Sequence, residues 1–371
     1  MRGRFAAIFL PMLLGCAVGA FSAEPADTKR WERSATQAIE PVGQDSSASQ
    51  SNRLDGSGSG TLQAFRSEAA APGDSTTVFI VVGVAGDEQY GTVFDEEAGR
   101  WEKICADTKT HCVVIGQSLT GLLTDHDRLQ RALAAEPKTG DGKLWLVLIG
   151  HGTFDGQEAK FNLRGPDFTA TELAQWLQPF HRPLAIVDTS SASAPFLNKL
   201  SGPGRVIVTA TRSGEEQNYA RFGTYFAAAL SDPQSDLDRD GQVSLLEAFL
   251  SASARLAEFY KTAGRLATEH PLIDDNGDGL GTPPDWFQGV HAVKRAKDGA
   301  APDGPLAQQF VLVPSAAEQK LPLAVRAERD RIELQVARLR ENKAKLKTDE
   351  YYAQLEALML QLAKLYAPSS K

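Results

Sequence analysis

From residue 77 onward, apolar runs of strand length recur without polar alternation, and a stretch with helical spacing follows each of them. T-V-F-I-V-V-G at 77–83, C-V-V-I-G at 112–116, K-L-W-L-V-L-I-G at 143–150, P-L-A-I-V at 183–187 and R-V-I-V-T-A-T at 205–211 read as strands covered on both faces. Residues 94–107, 125–136, 169–177, 194–200 and 222–230 read as the intervening helices. The third opens on a capping box, Thr169 with Glu172 three residues on. Strand and helix in alternation predict an α/β domain over 77–231, with a mostly parallel sheet and helices on both faces. Right-handed crossovers bring the strand ends to one edge.

The pattern changes outside that region. Residues 24–76 are rich in Ser, Gly, Ala, Asp and Gln with little periodicity, and read as a disordered linker. Ahead of it, Arg2 and Arg4 precede an apolar stretch at 5–21, and A-F-S at 20–22 offers a small-x-small cleavage site. This predicts a signal peptide over 1–23 and an exported, periplasmic or extracellular protein. L-L-G-C at 13–16 is the alternative, a lipoprotein-type box that would anchor the chain through Cys16. Residues 291–322 read as a linker. From 323 the composition turns to Ala, Glu, Lys, Leu and Arg, with one apolar stripe at Val325, Ile332, Val336, Leu339 and Leu346 and another at Leu355, Leu358, Leu362 and Leu365. A helical hairpin or short coiled coil over 323–366 is expected, either packed on the main domain or used for dimerisation.

Composition narrows the partners. The chain has 371 residues, a net charge of −8 and a sequence pI near 5.4, so it has no basic excess for nucleic acid or anionic membrane. The N-terminal apolar stretch is too short and early for a membrane span in the mature chain. Acidic residues are better read as cation ligands. After export two cysteines remain, Cys105 and Cys112, close enough in sequence for a local disulfide.

Two strand ends carry candidate chemistry. His151 and Gly152 follow the 143–150 strand, and Asp188-Thr189-Ser190-Ser191 follows the 183–187 strand, where an open α/β sheet places its site. A third segment, T-A-T-R-S at 209–213 with E-E-Q at 215–217 and F-G-T-Y-F at 222–226, completes a set. In order and spacing the three resemble the caspase/legumain-type cysteine peptidases, across roughly residues 77–231. The resemblance implies that His151 is the general base or acid and that the Gly152 amide helps bind an oxyanion. It also places Ser190 where the family has its cysteine. A serine hydroxyl supplies almost no anion and needs an oriented base, whereas a thiol needs only loose help. Cys105 and Cys112 lie outside both loops. A catalytically inactive pseudo-peptidase is therefore expected, with a Ser190–His151 peptidase as the rival.

The acidic residues form a stronger motif. Asp236, Asp238, Asp240, Gly241, Gln242, Ser244 and Glu247 match a twelve-residue EF-hand loop, with Gln242 lending its backbone carbonyl and Glu247 closing the site. Val243 supplies the apolar position. A second loop carries Asp274, Asn276, Asp278 and Gly279, with Asp285 at the twelfth position before a helix that Pro283 and Pro284 obstruct. Residues 232–290 thus read as a calcium-binding, EF-hand-type region. Together these readings give an exported Ca²⁺ protein on a caspase/legumain-like scaffold that recognises a peptide or protein partner. A purely structural envelope protein stabilised by calcium is the further alternative.

Overall fold

The computed structural model describes residues 75–118, 122–296 and 300–366. The expected signal peptide, Cys16 and nearly all of the expected 24–76 linker lie outside the described residues. The central sheet has six strands: β1 (Thr77–Val82), β2 (His111–Ile115), β3 (Leu144–Ile149), β7 (Leu184–Asp188), β8 (Arg205–Thr209) and β9 (Leu272–Asp274), in the order β2-β1-β3-β7-β8-β9. All neighbours are parallel except β9, which runs antiparallel to β8. Three short strands, β4 (Gly152–Phe154), β5 (Ala159–Phe161) and β6 (Phe168–Thr169), make a separate antiparallel sheet beyond the end of β3.

The unbroken apolar runs are explained by two cores. Val78, Ile80, Trp145, Val147, Ala185, Val187, Val206 and Val208 face one side. Phe79, Val81, Leu144, Leu146, Leu184, Ile186 and Ile207 face the other. Because side chains alternate along a strand, a sheet covered twice must be apolar at every position. The first core is closed by α1 (Glu88–Thr108), α5 (Phe222–Ala229) and α6 (Leu245–Thr262), through Phe94, Trp101, Phe222, Phe226 and Phe249. The second is closed by α2 (Asp125–Ala135), α3 (Ala170–Leu177) and α4 (Ala194–Leu200), through Leu129, Leu133, Leu173, Leu177 and Phe196. The Thr169–Glu172 capping box is formed at the start of α3.

Several expectations are corrected. Cys105, at the end of α1, and Cys112, in β2, are free thiols in mutual contact, not a disulfide. Residues 291–322 are not a free linker, since Asp303, Ala307, Phe310 and Leu312 are buried. Helix α5 stops at Ala229, and a 3-10 turn over Pro233–Ser235 leads into the first acidic loop. After the two-residue strands β10 (Phe287–Gln288) and β11 (His291–Ala292), α7 (Leu323–Glu341) and α8 (Thr348–Tyr366) form the C-terminal hairpin. Among the described residues, no helix is long and apolar enough to cross a membrane.

Candidate functional site

Strands β3 and β7 are adjacent and parallel, so His151 and Ser190 follow neighbouring strand ends. The His151 ring lies half-buried among aromatics, edge-on to Tyr90 at 4.9 Å and Phe94 at 5.2 Å, with Tyr219 at 6.2 Å. Burial lowers its pKa, and a hydrogen bond with the Ala85 backbone partly offsets this. Tyr219, partly buried and near Glu97, is pushed up to about 12.

Ser190 is fully buried, and its groups are committed to Asp188. The hydroxyl donates to Asp188 Oδ1 at 2.6 Å and the backbone N–H donates to the same oxygen at 3.0 Å. Among the described residues Asp188 Oδ2 has no partner, and burial raises this carboxyl to about 7 against the two Ser190 bonds. The Gly152 N–H donates to Ser191 Oγ at 3.1 Å, and the Ser191 hydroxyl donates back to the Gly152 carbonyl at 3.1 Å. The two amides that an oxyanion would need are thus already bonded internally. Glycine is required at 152, because a Cβ there would stand 2.2 Å from the Ser191 carbonyl oxygen.

The loop between β8 and α5 closes over this strand end. The Glu216 carbonyl accepts the Ala192 N–H at 2.8 Å, and Gln217 Nε2 donates to the Phe154 carbonyl at 3.1 Å. Gly214 packs on the Phe154 ring so closely that a Cβ would meet it at 2.4 Å. Beneath, Thr189 Oγ1 donates to Glu97 Oε1 at 2.9 Å, and burial raises Glu97 to about 7. The structure therefore brings His151, Gly152 and the serines to one end of the sheet, but the polar groups of Gly152, Ser190 and Ser191 are spent on one another and on Asp188.

The first acidic loop gathers its carboxylates at one place. One oxygen each from Asp236, Asp238 and Asp240 lies within 4.8 Å of the others. Glu247 is 2% exposed; its Oε1 accepts the Leu237 and Asp238 amides at 2.7 and 3.1 Å, and its Oε2 accepts Ser244 N–H and Oγ–H at 2.8 Å each. Gly241 has φ 87° and Arg239 φ 64°, the left-handed turns that wind the ladder. Among the described residues none of these carboxylates pairs with a basic side chain. Burial, Glu247 and Asp240 raise the Asp238 pKa, as crowding of acids does. Oxygen-only ligands converging in this way suit Ca²⁺.

The second loop repeats these contacts position by position. Asp274 Oδ2 accepts the Gly279 amide at 3.1 Å as Asp236 Oδ2 accepts that of Gly241 at 3.0 Å. Asn276 Oδ1 accepts the Asp278 amide as Asp238 Oδ1 accepts that of Asp240. Asp278 Oδ1 accepts Leu280 N–H as Asp240 Oδ1 accepts Gln242 N–H. Gly277 and Gly279, at φ 82° and 75°, match Arg239 and Gly241.

The twelfth position differs. Asp285, the sequence candidate, is 69% exposed and pairs with Lys294 at 2.6 Å. Asp303, 2% exposed, makes the contacts of Glu247 instead: its Oδ1 accepts the Asp275 and Asn276 amides at 2.8 and 3.1 Å, and its Oδ2 accepts the Thr282 hydroxyl at 2.5 Å. Burial and neighbouring Asp275 raise Asp303 to about 8, and burial raises Asp275 to about 6. Sequence reading missed Asp303 because it lies far outside the twelve-residue window.

Fold and site thus define an α/β protein with a mostly parallel sheet, a closed His–Ser strand end and two acidic loops. No family model matches the chain, and no curated protein matches it. Among solved structures it is similar to drICE, at 9% identity and a TM-score of 0.34 over 54% of this chain and 87% of that one. It is also similar to the Drosophila initiator caspase Dronc, at 12% identity and a TM-score of 0.35 over 57% and 83%. Caspase-1 from Spodoptera frugiperda gives 8% identity and a TM-score of 0.34 over 55% and 87%.

Proposed function

We propose that this is an exported calcium-binding protein on a caspase/legumain-like scaffold that does not cleave peptides. The first acidic loop carries the reading: among the described residues three aspartate oxygens converge without a basic partner, and Glu247, at the twelfth position, is tied to the same loop through the Leu237 and Asp238 amides. Asp236, Asp238, Asp240 and Glu247 would hold one Ca²⁺, with the Gln242 carbonyl and Ser244 or its water completing the set. Asp274, Asn276, Asp278 and Asp303 would hold a second, with Asp303 in place of Asp285.

The closed strand end favours a structural role over peptide capture between β3 and β7, since Ser190 and Ser191 are buried and the 212–221 loop covers them. No observation favours the Ser190–His151 peptidase, because the Ser190 hydroxyl donates to Asp188. The test is thermal unfolding in calcium and in chelator. Calcium should raise the midpoint, and Asp236→Ala with Glu247→Ala should abolish the first loop's share of the rise. Identical curves in both buffers would contradict the reading.

A further inference from the structure

We propose that calcium in the first loop governs the docking of the α7–α8 hairpin, with the segment at 310–320 acting as the arm that couples them. The inference rests on the calcium reading above and adds a mechanical consequence to it. The arm is clasped to the loop at several points. The Leu245 N–H donates to the Phe310 carbonyl at 2.7 Å, Ser244 and Val311 form an antiparallel bridge, and the Ser315 N–H donates to Gln242 Oε1 at 3.1 Å. Gln242 and Ser244 are the seventh and ninth loop positions, two that such a loop offers to the ion.

The far end of the arm holds α7. Glu318 accepts both terminal nitrogens of Arg329, at 2.6 and 2.9 Å, a two-pronged pair that fixes direction as well as distance. Just ahead of the arm, Gln309 Nε2 donates to the Asp330 carbonyl at 2.6 Å. Between hairpin and loops lies a cleft of about 1090 Å³, with Asp238, Asp240 and Gln242 on one wall and Arg326, Arg329 and Glu333 on the other.

The clasp gives the coupling its sign. An ion held by the Gln242 carbonyl and Ser244 would fix the two residues that grip Ser315 and Val311, so the arm and the helix it holds tighten with calcium. The hairpin then has two arrangements with different affinity for calcium, which is what coupling requires. Ile332 and Val336, buried residues of α7 itself, are the apolar groups that undocking would uncover.

Hydrogen exchange read by mass spectrometry on the full chain tests this, beside calorimetric calcium titration of the same samples. In calcium, amides of α7 should exchange about tenfold more slowly than in chelator. Arg329→Ala and Glu318→Gln should each lose that response and, by reciprocity, bind calcium up to about tenfold more weakly than the parent. Calcium uptake with protected loop amides but unchanged α7, or α7 protection that survives in both variants, would overturn the coupling and leave the calcium reading standing. A titration with no uptake by the parent protein would remove the calcium reading, and the coupling with it.

Discussion

The hydroxyl of Ser190 donates to Asp188 Oδ1 at 2.6 Å, inside the protein and two residues back along its own chain. A nucleophile must hand its proton to a base that is free to pass it on. Here the acceptor is a buried carboxylate that also takes the Ser190 amide, and the Gly152 amide is bound to Ser191. The Ser190 hydroxyl and the Ser190 and Gly152 amides are each bonded within the protein.

It follows that neither the parent protein nor Ser190→Cys should turn over a peptide library, with or without calcium. Replacing oxygen by sulfur does not free the Gly152 amide or lift the 212–221 loop. Turnover in the parent protein that Ser190→Ala abolishes would show a working serine site.

Ser190→Ala should instead cost stability. It removes one of two donors to a buried carboxylate whose other oxygen is already unpartnered. A loss of about 1–3 kcal/mol is expected, read as a fall in the denaturant midpoint at unchanged slope.

Stability in chelator should fall as pH rises from about 4 to about 7. Asp188 and Glu97 are both raised to about 7, so the folded state holds their protons above the unfolded carboxylate range. Their contribution is complete below the unfolded pKa and is lost as pH climbs through the folded one, at about 1.4 kcal/mol per pH unit and group. Asp188→Asn should flatten the slope, because a neutral amide still accepts from Ser190 through its oxygen. A slope unchanged by that substitution would place the titration elsewhere.

Gly152→Ala should yield little folded protein. The added methyl would stand 2.2 Å from the Ser191 carbonyl and 3.1 Å from Ser190 Oγ, neither on a flexible side-chain end. A cost of about 3 kcal/mol or more is expected, measured as recovery of soluble protein and its melting point.

Much of this architecture is written in the chain. The strands at 77, 143, 183 and 205 are legible because burial on both faces leaves no polar position, and the α3 capping box is legible as Thr169 and Glu172. The β4–β6 sheet is not, because strands of two or three residues set no period. Nor is β9, whose Asp274 belongs equally to the acidic loop. His151, Gly152 and Ser190 could be placed at one edge from order alone, yet the capture of Ser190 by Asp188 depends on a side-chain direction that no spacing encodes. The 291–322 stretch is low in periodicity but sends Phe310 and Leu312 into the core and Asp303 into the second loop.

The most direct measurement is calorimetric titration of calcium into chelator-stripped protein. Two ions should bind to the parent chain and to Asp285→Asn, and one to Asp303→Asn, as to Glu247→Gln. At a hundredfold excess over its Kd, each ion would add about 2.7 kcal/mol of stability. No binding heat in the parent protein, or the loss of one ion in Asp285→Asn with both retained in Asp303→Asn, would contradict the account.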